Sequence, residues 1–175
     1  MYILLYCTSS PLSDPQYSSS IEQTLLAGTT IVCDRYAFSG IAFSASKIRP
    51  SSLSYPLLPY AWCRAPASGL PSPDLTLFLA VSPAVQASRG GFGSERYENA
   101  DTQRRVADVF ERIADEVQGA GGRWEALDAD LGEEEVREAV WRCVEAHGLV
   151  GGVEGPVEKL WDDKREESNA EALYM

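Results

Sequence analysis

Hydrophobic positions along this chain alternate between short solid runs and longer amphipathic stretches. Thr30-Ile31-Val32-Cys33 and Leu75-Thr76-Leu77-Phe78-Leu79-Ala80-Val81 are apolar or β-branched at nearly every position, and Trp124 to Leu127 forms a third run. Solid runs of this length suit strands buried on both faces, so strands are predicted over 29–33, 75–81 and 124–127. Between them the apolar spacing lengthens to the helical period. Val106, Val109, Phe110, Ile113, Ala114 and Val117 make a stripe within 99–117, before Gly119 to Gly122 breaks it. Val136, Val140, Cys143 and Val144 make another over 133–147, with Glu134, Glu135 and Glu138 turned outward. Residues 37–47 gather Ala37, Ile41, Ala42 and Ala45 on one side of a helix. Ser19-Ile21-Glu22 has the look of a capping box opening another, with Gly28 as its stop. Ser82 caps a short helix with Pro83 at its favoured first position. Residues 8–20 and 49–60 are rich in Ser and Pro and read as loops; Ala61-Trp62-Cys63 resumes order before Gly69-Leu70-Pro71. Strands alternating with helices predict an α/β fold with a parallel sheet. The chain shows no internal repeat.

Composition narrows this only a little. A chain of 175 residues, 45% hydrophobic and 23% charged, holds one complete core. No apolar stretch approaches the roughly 20 residues that span a bilayer, and Met1 to Cys7 is short and lacks a basic flank, so neither a membrane nor a signal peptide is expected. Cys7, Cys33, Cys63 and Cys143 are scattered, with no C-x-x-C pair, as in reduced cytoplasmic or nuclear proteins. The single histidine, His147, sits where it would cap the last helix rather than ligate a metal. The net charge of −11 argues against general nucleic-acid affinity. Its distribution is uneven: residues 1–97 carry six basic and five acidic side chains, residues 98–175 nine and twenty-one. An anionic substrate would therefore be gathered locally by arginines in the nearly neutral half.

The candidate chemistry begins at Asp34-Arg35-Tyr36, directly after the first predicted strand. Open α/β sheets bind ligands at the carboxyl ends of their strands. There a carboxylate can orient a hydrated cation, and a guanidinium can grip a phosphate with two parallel hydrogen bonds. Arg89-Gly90-Gly91-Phe92-Gly93-Ser94-Glu95-Arg96-Tyr97-Glu98 adds two arginines on a glycine-rich loop after the next strand. Such a loop suits phosphoryl transfer, where positioning and charge stabilisation carry the reaction. Tyr36, Phe38, Phe43 and Tyr97 could line a flat pocket for a base, though singly each suits a core. The blander reading is a structural ion pair and a solvated loop; two arginine-bearing connections converging on one sheet edge weigh against it. The sequence contains no G-x-x-x-x-G-K-[ST] loop.

Three segments carry a family resemblance. Asp34-Arg35-Tyr36-Ala37-Phe38-Ser39-Gly40-Ile41-Ala42-Phe43 resembles the D-R-Y-x-x-S-G-x-A-[FY] segment of eukaryotic thymidylate kinases. Trp62-Cys63, Pro66 and Gly69-Leu70-Pro71-x-Pro73-Asp74-Leu75 resemble their W-C-x-x-P-x-x-G-L-P-x-P-D-L segment. Residues 89–98 followed by Gln103 resemble their lid, R-G-x-F-G-x-E-R-Y-E followed by F-Q. The order is the family's, and the resemblance covers 21–148. It implies a three-layer P-loop-kinase-like parallel sheet flanked by helices, and transfer of a phosphoryl group from ATP, with Mg²⁺, to dTMP, giving dTDP on the way to dTTP. It also implies roles. Arg35 would bind the dTMP phosphate, and Asp34 would organise the metal and phosphate network. Ser39, Gly40, Phe43 and Gln103 would approach the nucleotide. Arg89 and Arg96 would belong to a lid (89–97) over the ATP phosphates, and Tyr97 would lie by the deoxyribose. Asp128-Ala129-Asp130 would stand on the adenine side.

The departures are as specific. The family's first strand, its phosphate loop with the essential lysine, its first helix and a later F-S-A-N-R-W-E segment have no counterpart; Thr102 replaces the phenylalanine before Gln103. The expected organisation is an irregular segment 1–20, a kinase-like domain 21–148 and an acidic tail 149–175, in which Leu160 and Trp161 can dock. The sheet is expected to be incomplete, with exposed apolar surface and unpaired edges where the first strand is missing. Two readings follow: a truncated dTMP kinase with little activity alone, or a non-catalytic nucleotide-binding remnant that partners a full kinase. A homodimer fits either; nucleic acid and membrane partners fit neither.

Overall fold

The computed structural model describes residues 2–5, 15–48, 57–89 and 100–161. Strands β1 (Tyr2–Leu5), β2 (Ile31–Asp34), β3 (Leu75–Ala80) and β4 (Trp124–Asp128) form one parallel sheet in the order β2-β1-β3-β4. Helices are α1 (Pro15–Leu26), α2 (Ala37–Ala45), α3 (Tyr60–Arg64), α4 (Pro83–Ser88), α5 (Ala100–Gly119) and α6 (Glu133–Ala146).

The expectation of a sheet without its N-terminal strand is corrected. Tyr2–Leu5 lies between β2 and β3, in register with Ile31–Asp34 on one side and with Leu75 and Thr76 on the other. The physical reason is the one that made an empty slot costly: two unpaired edges are satisfied by one short aliphatic run. The N-terminal segment is also less irregular than expected. Helix α1 starts at Pro15, where proline's fixed φ costs nothing, and Ser19 lies inside it rather than capping it.

Alternation along the strands sends side chains to two layers. On one face Ile21, Cys33, Phe38, Ile41, Phe110, Ile113 and Trp124 bring α1, α2, α3 and α5 into one cluster. On the other, Leu75 and Leu77 meet Val144 and Leu149 beneath α6. The helical stripe expected within 99–117 is the buried face of α5, through Val106, Phe110, Ile113 and Val117. His147 does cap α6, and its Nε2 also lies 3.0 Å from Glu125 Oε1 on β4.

Thr76 is the exception inside this packing. Its residue is 3% exposed, and its Oγ1 has no hydrogen-bond partner among the described residues. A buried hydroxyl left without a partner forfeits its solvation. Thr76→Val keeps the shape and removes that cost. We expect it to stabilise the fold by about 1 kcal/mol, read as a rise in the denaturant midpoint at unchanged m-value.

The acidic tail does not simply leave the domain. Lys159 forms an isolated antiparallel bridge with Pro71, Leu160 is buried, and Trp161 packs on the main cluster. Lys159 Nζ also pairs with Glu22 Oε1 of α1; that hydrogen bond first, and the ammonium charge beside it, hold the Glu22 carboxyl below its ordinary range.

Candidate active site

Parallel strands put the ends of β2, β1, β3 and β4 along one edge, and the candidate residues gather on the connections that leave it. Asp34 is the last residue of β2, opposite Leu5, and is exposed. Arg35 follows with φ 58°. The left-handed region is rarely adopted by a residue with a Cβ and costs about 1–2 kcal/mol. It persists here because both neighbours are fixed, Asp34 by the sheet ladder and Tyr36 by its hydroxyl, which donates to the Pro71 carbonyl at 3.1 Å. Arg35 Nε and Nη1 are buried.

Helix α2 begins immediately afterwards. Tyr36 is its N-cap residue and supplies no side-chain cap, so the first-turn N–H groups end without one beside Arg35. A helix N-terminus and a guanidinium are each groups that can take a phosphate. Of the two readings the sequence left open for Tyr36 and Phe38, pocket wall or core, the structure gives the core. Tyr36 is 6% exposed and Phe38 0%, because α2 turns its Phe38-Ile41-Ala42 face to the core. Ser39 is buried on the same helix, Gly40 is exposed with open space at its Cβ position, and Phe43 is half-buried against the cluster. Gln103, half-buried, sits in the first turns of α5, the helix packed against α2.

Arg89 lies at the far end of α4, exposed, and its Nη2 donates to the Ala129 carbonyl at 2.7 Å. Asp130 Oδ1 accepts from the Ser82 N–H at 2.7 Å at the other end of α4. Hydrogen bonds from Ser82 hold the Asp130 carboxyl below its usual range, against a small opposing effect of burial. Thus Asp128-Ala129-Asp130, which the sequence placed only as a loop near the site, ties both ends of α4 to β4. A second unforeseen tie is Arg105. Its Nε donates to the Ser46 carbonyl at 3.0 Å and its Nη2 to Thr102 Oγ1 at 3.0 Å, joining the start of α5 to the end of α2. Two arginines in succession on a helix gave no signal as to which one turned inward. Arg96 and Tyr97 lie outside the described residues.

Cys33, Cys63 and Cys143 are free, and burial pushes each thiol above its ordinary range, so none is a poised nucleophile. Among the described residues no group of three or more His, Cys, Asp or Glu side chains could hold a metal ion. No helix among them is long and apolar enough to cross a membrane.

A family model described as thymidylate kinase matches residues 12–140. The chain is 41% identical over 120 residues to a thymidylate kinase of Schizosaccharomyces pombe, covering 69% of this chain and 53% of that protein. It is 38% identical over 126 residues to one of Arabidopsis thaliana, covering 72% and 42%. It is 38% identical over 141 residues to one of Homo sapiens, covering 81% and 61%. The chain thus spans about half the length of these relatives. Among solved structures, a thymidylate kinase from Candida albicans superposes with a TM-score of 0.68 at 23% identity, covering 91% of this chain and 85% of that one, and so shares the fold. The chain belongs to the thymidylate kinase family.

Proposed function

We propose that this chain forms the acceptor side of a dTMP kinase: it binds dTMP with Arg35 on the phosphate, and the protein transfers the γ-phosphoryl group of ATP to it, giving dTDP and ADP. The observation that carries this reading is Arg35 itself. This half-buried residue, two of its guanidinium nitrogens buried and its backbone left-handed, stands at the carboxyl end of β2 and just before α2, whose N-cap residue supplies no side-chain cap. Strained backbone of this kind is retained where a fixed side-chain direction is needed. Ser39, Gly40, Phe43 and Gln103 then face the nucleotide from α2 and α5, Arg89 and Arg96 serve the donor phosphates, and Tyr97 stands by the deoxyribose.

Asp34 suits Mg²⁺. It is an exposed carboxylate at the same sheet edge, and Mg²⁺ is commonly held by one or two carboxylates with the remaining positions filled by phosphate oxygens and water. When bound, the ion supplies charge neutralisation on the transferring phosphate. Asp34 itself would orient the ion's water shell, and Arg35 would hold the acceptor oxygen in line.

The donor side is thinner in this chain. Without G-x-x-x-x-G-K-[ST], no lysine follows the migrating charge, and each such electrostatic contribution is worth roughly 10²–10³ in rate. We therefore expect binding by this chain to outrun turnover. Calorimetric titration with dTMP, dCMP and dAMP tests the reading. dTMP should bind saturably and about tenfold or more tighter than dAMP, which cannot satisfy the same polar groups. No saturable dTMP binding would refute the acceptor site. Coupled ADP release with dTMP and ATP should be slow; a rate like that of full-length relatives would refute the weak donor side.

A further inference from the structure

Residues 158–161 lie far in sequence from every residue so far placed in the site, yet they make an ordered edge on the loop that holds it. The Gly69 N–H donates to the Leu160 carbonyl at 2.7 Å, the Leu160 N–H to the Leu70 carbonyl at 2.8 Å, and the Ser72 N–H to the Glu158 carbonyl at 2.8 Å. The Lys159–Glu22 ion pair ties the same residues to α1. Beyond them Trp161 sits at φ 41°, a left-handed conformation as rare for tryptophan as for arginine. Its ring meets Phe38 edge-on at 5.8 Å, and the Arg64 guanidinium lies over it at 5.5 Å.

These contacts converge on the two groups that flank Arg35. The loop 69–72 presents the Pro71 carbonyl that fixes the Tyr36 hydroxyl, one residue after Arg35. Phe38, wedged by Trp161, forms the first turn of α2. Tyr36 and Phe38 also meet edge-on at 6.5 Å, so both supports form one packed unit. An arginine in the left-handed region has no intrinsic preference for that backbone, so the direction in which its side chain leaves depends on how firmly the neighbouring residues are held.

We propose that residues 158–161, anchored by Trp161, are a positioning strap for Arg35: they set the phosphate-binding geometry of the acceptor site without touching the nucleotide. The proposal rests on the reading that Arg35 takes the dTMP phosphate. It predicts an effect confined to the phosphate. A loss of general stability would weaken every ligand of the pocket, whereas a misaligned guanidinium penalises dTMP and spares thymidine.

The experiment measures dTMP and thymidine affinity for the natural chain and for Trp161→Ala, Trp161→Phe and Tyr36→Phe, with circular dichroism to confirm folding. Trp161→Ala should weaken dTMP about tenfold, the value of one charge-assisted hydrogen bond, and change thymidine less than about twofold. Trp161→Phe keeps an aromatic edge and should restore most of the affinity. Tyr36→Phe removes the hydroxyl tie to Pro71 and should show the same phosphate-selective loss, and it decides the matter if Trp161→Ala does not fold. Equal losses for dTMP and thymidine, or no loss in either folded variant, would overturn the strap while leaving the acceptor site intact. Failure of the natural chain to bind dTMP would overturn both.

Discussion

Replacing Arg35 by glutamine should lower dTMP affinity on the order of 10²–10³-fold, with the fold unchanged. The magnitude follows from the bonds at stake. A hydrogen bond to a charged group contributes about 1.5–3 kcal/mol, a guanidinium offers two in parallel to a phosphate, and each 1.4 kcal/mol or so is a factor of about ten. Lysine at the same position keeps the charge but presents a single point donor, so Arg35→Lys should fall between the two. Arg35→Gly separates backbone from side chain. Glycine adopts φ 58° without cost, so this variant relieves the left-handed conformation while losing the guanidinium. Its affinity should match that of the glutamine variant. Calorimetric titration with dTMP reads all three. Binding by Arg35→Gln as tight as by the natural chain would remove Arg35 from the site.

How much of this was legible beforehand follows from which forces act locally. Strands β2, β3 and β4 and helices α2, α5 and α6 announce themselves, because their apolar periods reflect burial against elements that any such sheet supplies. Asp34 and Arg35 were legible because they end a buried strand, where position alone puts them at the ligand edge. Tyr2–Leu5 was not: a four-residue apolar run says nothing about which slot it fills, and only pairing on both sides makes it an inner strand. The sequence left Tyr36 and Phe38 between pocket wall and core for a related reason. An aromatic residue beside a site looks the same in sequence whether it lines a pocket or supports one, and the Pro71 carbonyl that decides it lies 35 residues away. Arg105 and Asp130 act through backbone carbonyls and N–H groups of distant segments, for which side-chain identity carries no signal.

Phe38→Ala should be the most damaging single truncation in the core, costing about 3–5 kcal/mol. Phe38 is 0% exposed and, among the described residues, meets three other rings, Tyr36 at 6.5 Å, Trp124 at 5.5 Å and Trp161 at 5.8 Å. Those partners come from three places outside α2: the turn after β2, the start of β4 and the C-terminal strap. Removing the ring leaves a cavity that no single neighbour can collapse into, because each is held by separate backbone. For a chain of this size each kcal/mol shifts the melting midpoint by about 2–4 °C, so a fall of roughly 10 °C or more is expected by calorimetry. The truncation should also be strongly non-additive with Trp161→Ala, since either change removes the contact between the two rings. Additive losses would mean that the strap and the core of α2 are independent, and a fall of under about 1 kcal/mol would mean that Phe38 is not the wedge between them.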